Sequence, residues 1–175
     1  MRASPFARKG WSMEWSIVKA YQQTVSEWLS LAGEQQGVAL SLGSDGHCRV
    51  PFGQDGECLV EVPDNDELQV CYLYIPLLRL PDDAASQLQL TRSALELNMF
   101  GLATGGSQIS LDSRSNHLVL TFSSLIEMLD STLFMQTLGE FLDLGVTLLA
   151  QLQSVLAQQK SPSQPSPLSG VIIPC

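Results

Sequence analysis

The chain has 175 residues, of which 45% are apolar and 15% charged, and its formal net charge is −9. That length matches one domain with a single core, the apolar share excludes a chain disordered throughout, and the acidity argues against a phosphate-backbone partner. No stretch approaches the roughly 18 uninterrupted apolar residues of a membrane span, and no apolar run follows the basic N-terminus as in a secretory signal.

In chain order, residues 1–12 read as a flexible leader, with periodic sequence beginning after Met13. Trp15, Val18, Tyr21, Val25, Trp28, Leu29 and Ala32 recur at helical spacing, so a first amphipathic helix is predicted over 15–32, closed by Gly33 and Gly37. The period then falls to two. Val38, Leu40 and Leu42 alternate with small residues, and strands are predicted here, over His47–Phe52, over Glu57–Val62 and over Leu68–Ile75. The turns between them are Ser44-Asp45-Gly46, Gln54-Asp55-Gly56 and Pro63 to Asp66. Such short connections join antiparallel neighbours, because parallel strands need long crossovers.

Pro81-Asp82-Asp83 opens a second helix, capped by one of the two aspartates and ending near Phe100-Gly101. Gln108–Leu111 and Leu118–Phe122 form a hairpin around Asp112 to Asn116. Ser124 and Glu127 have capping-box spacing, and Asp130 offers a second cap for the last helix. In that helix Phe134, Leu138, Phe141, Gly145, Leu148, Leu152 and Val155 form a stripe, widened by Leu142, Leu149 and Leu156. A stripe so broad suits a helix laid on a sheet better than a coiled-coil seam. Residues 160–175, rich in proline and serine, read as a disordered tail behind a domain spanning 13–159. The fold class is α+β: an antiparallel sheet with flanking helices in the order α-β-β-β(-β)-α-β-β-α.

All 18 acidic residues lie between Glu14 and Asp143, where only five basic residues accompany them. An acidic body favours solubility and a basic or neutral polypeptide partner. Cys48, Cys58, Cys71 and Cys175 form no CxxC pair, so no metal site is expected, and the first three read as reduced core thiols. His47 and His117 each open a strand after a polar turn, and no HExxH motif is present. Gly101 to Ser107 is glycine-rich but lacks a phosphate-loop lysine. The acids from Asp55 to Glu67 do not match a calcium loop. No Gly-x-Ser-x-Gly elbow supports a serine hydrolase. Neither a catalytic residue nor a cofactor is therefore expected. What remains is a binding protein, whose open sheet face or edge can hold an extended peptide.

Four features resemble the class I chaperones of type III secretion, the Tir-chaperone family. They are the small acidic body, the turn-to-strand entry Gly46-His47-Cys48, and the ending Leu95-Glu96-Leu97-Asn98 followed by a hairpin with Leu111-Asp112 and Leu118-Val119-Leu120. The fourth is a last helix opening at Leu129-Asp130 with Leu133, Leu138 and Phe141. Together they cover roughly 14–157. The resemblance implies a homodimer in the bacterial cytoplasm that serves a virulence system. It binds the N-terminal segment of a secreted effector in extended form and delivers it for export without using ATP, the secretion-apparatus ATPase being a further partner. It implies effector contacts among Trp28, Leu29, Leu40, Leu42, Val50, Leu59 and Val60. It places the two-fold interface around the second helix, with Leu88, Leu95, Met99 and Phe100 as its candidates. The alternative is an unrelated dimeric protein–protein interaction module.

Overall fold

The computed structural model describes residues 9–53, 56–64 and 69–160. Among them run α1 (Lys9–Gln36), β1 (His47–Phe52), β2 (Gly56–Glu61), β3 (Val70–Arg79), α2 (Ala84–Leu97), β4 (Gln108–Asp112), β5 (His117–Leu125) and α3 (Ser131–Lys160). Single 3-10 turns stand at Met99–Gly101 and Ile126–Met128. The strands form one sheet in the order β1-β2-β3-β5-β4, and every neighbouring pair is antiparallel. The α+β class follows as expected.

One face of the sheet is closed. The register aligns Cys48, Val60, Leu73 and Phe122 across four strands, and Ile75, Leu120 and Ile109 across three. Val50, Cys58, Cys71 and Leu118 join them in the core. Phe134, Leu138, Phe141, Leu142, Leu148 and Leu152 of α3 are buried in the same cluster, with Val25 and Leu29 of α1 and Leu90 and Ala94 of α2. Each fully buried large side chain contributes about 1.5–3 kcal/mol, so α3 contributes more to the core than either of the other helices. Gly145 lets α3 approach β3 closely: a methyl group there would come within 2.6 Å of Ile75 Cδ1. By length and composition Ser131–Gln158 could cross a membrane, yet its apolar stripe is seated in this core.

Asp83 caps α2 by accepting the Ser86 N–H at 2.8 Å, and Asp130 caps α3 by accepting the Leu133 N–H at 2.8 Å. Ser124 is not the cap: it lies within β5, whose pairing with β3 extends to Leu125. The strand predicted at Val38–Leu42 is a loop. Its backbone groups find other partners: the Val38 N–H bonds the Gly33 carbonyl, and the Leu42 N–H bonds Ser26 Oγ at 2.9 Å. Alternation there marks one plug, Leu40, pushed into the core. The first helix is longer than predicted, running from Lys9 to Gln36. It stops at Gly37, whose φ of +70° only glycine adopts freely. Leader residues 1–8, the turn residues 54–55 and 65–68 and the tail from 161, with Cys175, lie outside the described residues.

Cys48, Cys58 and Cys71 are free and buried. Burial pushes the Cys58 and Cys71 thiols up to about 12 and raises Cys48 as well. A thiol that resists ionisation is a poor nucleophile and a poor metal ligand.

Candidate functional site

Successive side chains on a strand point to opposite faces, so the residues between the core positions build a second surface. Register places Arg49, Leu59, Tyr74, Thr121 and Gln108 in one row across all five strands. This outer face forms a groove of about 900 Å³ whose lining includes Leu59, Tyr74, Pro76 and Val119. Charged residues rim it: Arg49, Glu57 and Glu61 toward β1 and β2, and Asp112, Arg114 and His117 at the β4–β5 end. Tyr72 and Tyr74 stack with their ring centroids 5.9 Å apart. Partial burial, reinforced by the neighbouring Glu61 carboxylate, raises the Tyr74 hydroxyl above its ordinary range. Pro76 lacks an N–H, and the β3–β5 ladder slips between Pro76 and Leu78.

The polar rim is solvated. Arg49 pairs with Glu57 at 2.8 Å, both largely exposed, an arrangement worth well under about 1 kcal/mol. His47 lies between Asp45 and Glu61 at 3.5 and 3.6 Å. Asp112, at the end of β4, is held below its ordinary range by hydrogen bonds from the Ser115 hydroxyl and the Arg114 N–H. Among the described residues no group of three or more His, Cys, Asp or Glu is placed to hold a metal ion. What the face offers is a half-buried apolar floor with polar walls, able to seat alternate side chains of an extended segment. The β1 edge offers less. The His47 carbonyl already accepts the Gly43 N–H at 2.8 Å, and Pro51, four residues on, has no N–H to give.

The second surface is a ledge. Leu88, Leu95, Met99 and Phe100 are 71%, 65%, 65% and 85% exposed, and Leu102 beside them is 85% exposed. Four large apolar side chains on one helix and its exit turn, all turned to solvent, form the kind of patch that marks an interaction surface. The four residues expected at the two-fold interface are thus all exposed in the single chain.

The predicted effector contacts divide. Leu29, Leu40, Val50 and Val60 are core residues in the folded chain: Leu29 lies on the buried face of α1, Leu40 plugs in from the loop after it, and Val50 and Val60 lie on the closed face of the sheet. Leu59 and Val60 could not share a surface, being consecutive in β2. Leu59 lies on the outer face. Trp28 and Leu42 are half-buried at the core margin, the Trp28 ring tilted on Phe134 at 5.4 Å. Sequence reasoning missed Tyr74, Pro76 and Val119. Tyr72 and Tyr74 alternate with Cys71, Leu73 and Ile75, which was the available signal. Pro76 and Val119 needed the register.

The model of the Tir chaperone protein (CesT) family matches residues 22–149. No curated protein sequence matches the chain. Among solved structures, a chain of the ExsC–ExsE complex aligns with a TM-score of 0.61 at 16% identity, covering 75% of this chain and 95% of that one. A chain of the HopA1–SchA chaperone–effector complex aligns with a TM-score of 0.57 at 15% identity, covering 77% and 97%. A chain of the ExoU–SpcU complex of the Pseudomonas aeruginosa type III secretion system gives 0.53 at 20% identity, covering 73% and 96%. At these identities the likeness is one of fold.

Proposed function

The chain belongs to the Tir chaperone protein (CesT) family, and we infer from this that it is a type III secretion chaperone that binds an effector. It holds the N-terminal segment of a secreted effector in extended form in the bacterial cytoplasm and releases it for export. It works by binding, without catalysis or cofactor. The HopA1–SchA neighbour is a chaperone–effector complex, and the same activity is proposed for this chain. The observation that carries the reading is the uncovered outer face: an apolar floor of Leu59, Tyr74, Pro76 and Val119 with a charged rim. A secreted segment too polar or too short to bury its own apolar side chains gains that burial here. Leu59 is the principal contact proposed, with Trp28 and Leu42 as accessory contacts at the α1–β1 corner. Two copies pair through the ledge of Leu88, Leu95, Met99 and Phe100. The secretion-apparatus ATPase is proposed as the partner that receives the loaded dimer.

Affinity purification from secreting cells tests this. One exported protein is expected to co-purify through its first hundred or so residues, and L59D is expected to release it while the chain stays folded. Recovery of the intact dimer with no exported protein bound would overturn the reading and favour a general interaction module.

A further inference from the structure

The exit from α2 is both tied and strained. Asn98 Oδ1 accepts the Ile109 N–H at 2.8 Å, and Asn98 Nδ2 donates to the Ile109 carbonyl at 2.9 Å. Antiparallel strands alternate the side to which backbone groups point. On β4, an edge strand, the Ile109 groups face away from β5, as a neighbouring strand would need them. The Asn98 amide therefore occupies the place of an added strand's peptide group, one donor and one acceptor matched to one acceptor and one donor.

The turn that follows is built on this tie. The Asn98 carbonyl accepts the Gly101 N–H, the Gly101 carbonyl accepts the Gly106 N–H, and the Thr104 carbonyl accepts the Ser107 N–H. Thr104 and Ser107 are buried beneath it. Phe100 is forced to φ 59°, ψ 7°, a left-handed conformation disfavoured for a bulky side chain. Yet its ring is 85% exposed, so packing within the chain does not repay the strain. Backbone strain held at an exposed apolar residue is a mark of a contact site.

We infer that Asn98 is a positioning residue: its amide latches the α2 exit to β4 and presets Met99–Leu102 as a rigid knob for a second copy of the chain. This rests on the ledge being the self-association surface. Rigidity in the free chain removes an ordering cost that pairing would otherwise carry. The rival role, a simple C-cap of α2, uses the Asn98 backbone N–H to the Ala94 carbonyl and makes no use of the side-chain amide.

The test compares the intact chain with N98A and F100G by amide exchange at Ile109 and Leu97 and by sedimentation equilibrium. N98A is expected to speed Ile109 exchange about tenfold or more while leaving Leu97 unchanged, and to weaken self-association about tenfold or more. A C-cap role alone, which rests on the Asn98 backbone N–H, predicts that N98A changes exchange at neither Leu97 nor Ile109. F100G is expected to weaken pairing comparably while the melting temperature of the dissociated chain stays within about 2 °C or rises. Unchanged Ile109 exchange and pairing in N98A overturns the latch. A clear fall in melting temperature for F100G overturns the exposed knob, and decides the matter if N98A does not fold. A wild-type chain that sediments as a monomer sinks the pairing reading itself, whereas a dimeric wild type with an insensitive Ile109 sinks only the latch.

Discussion

The two faces of the sheet are made from the same strands and differ in everything but backbone. Inside, Val50, Cys58, Val60, Leu73, Ile75 and Leu120 are almost fully buried. Outside, their immediate neighbours Arg49, Glu57, Leu59, Tyr74, Pro76 and Val119 line an open groove. One residue of displacement separates a group that holds the fold from a group free to hold something else. Binding and stability should therefore come apart on adjacent residues.

Substitutions on the closed face carry the largest expected effect. L148D places an unpaired charge where the side chain is 1% exposed. It should cost more than about 4 kcal/mol and abolish cooperative unfolding, as followed by circular dichroism. An L148D chain that melts normally would break the distinction between the faces.

Alkaline pH probes the same face next. Cys58 and Cys71 ionise near 12 in the fold against an ordinary value of 9.0. The native state therefore keeps protons that the unfolded chain gives up. Their contribution to stability is complete below about pH 9 and is lost as pH rises toward 12. Denaturant titrations should show a plateau to pH 9 and a fall above it, shallower in C58A. The two thiols should also resist a thiol reagent at pH 8 until the chain unfolds.

G145A tests how closely α3 and β3 meet. The added methyl presses on Ile75, itself 1% exposed, and should cost about 1–3 kcal/mol. On the open face, L59D should shift stability by only about 1 kcal/mol or less while abolishing effector retention. R49A, which removes the exposed pair with Glu57, should change stability by less than about 0.5 kcal/mol.

Much of this was readable from residue order. The α3 stripe from Phe134 to Leu152 became the core helix because burial imposes one helical face. The hairpin of β4 and β5 followed from two apolar runs around a polar turn. Leu88, Leu95, Met99 and Phe100 came from the family resemblance and not from local pattern, and the fold leaves all four exposed. The faces were not separated, because Leu59 and Val60 are equally apolar and only the register of β2 against β3 tells which one points inward. Val38–Leu42 showed the period of a strand, but Ser26 and Gly33 satisfy its backbone, a tertiary effect invisible to local pattern. Ser124 matched a capping spacing and lost to Asp130 because β5 runs on through it. Asn98 carried no signal as a latch, since its partner Ile109 lies across a glycine-rich turn.

The most direct test of a face reserved for an effector is photo-crosslinking in secreting cells from a benzophenone residue placed at Tyr74, with the same group at the exposed Ala150 of α3 as reference. Cross-links from position 74, and not from position 150, should map to the N-terminal region of an exported protein. An effector that co-purifies with the chaperone yet cross-links only from position 150 would contradict the account.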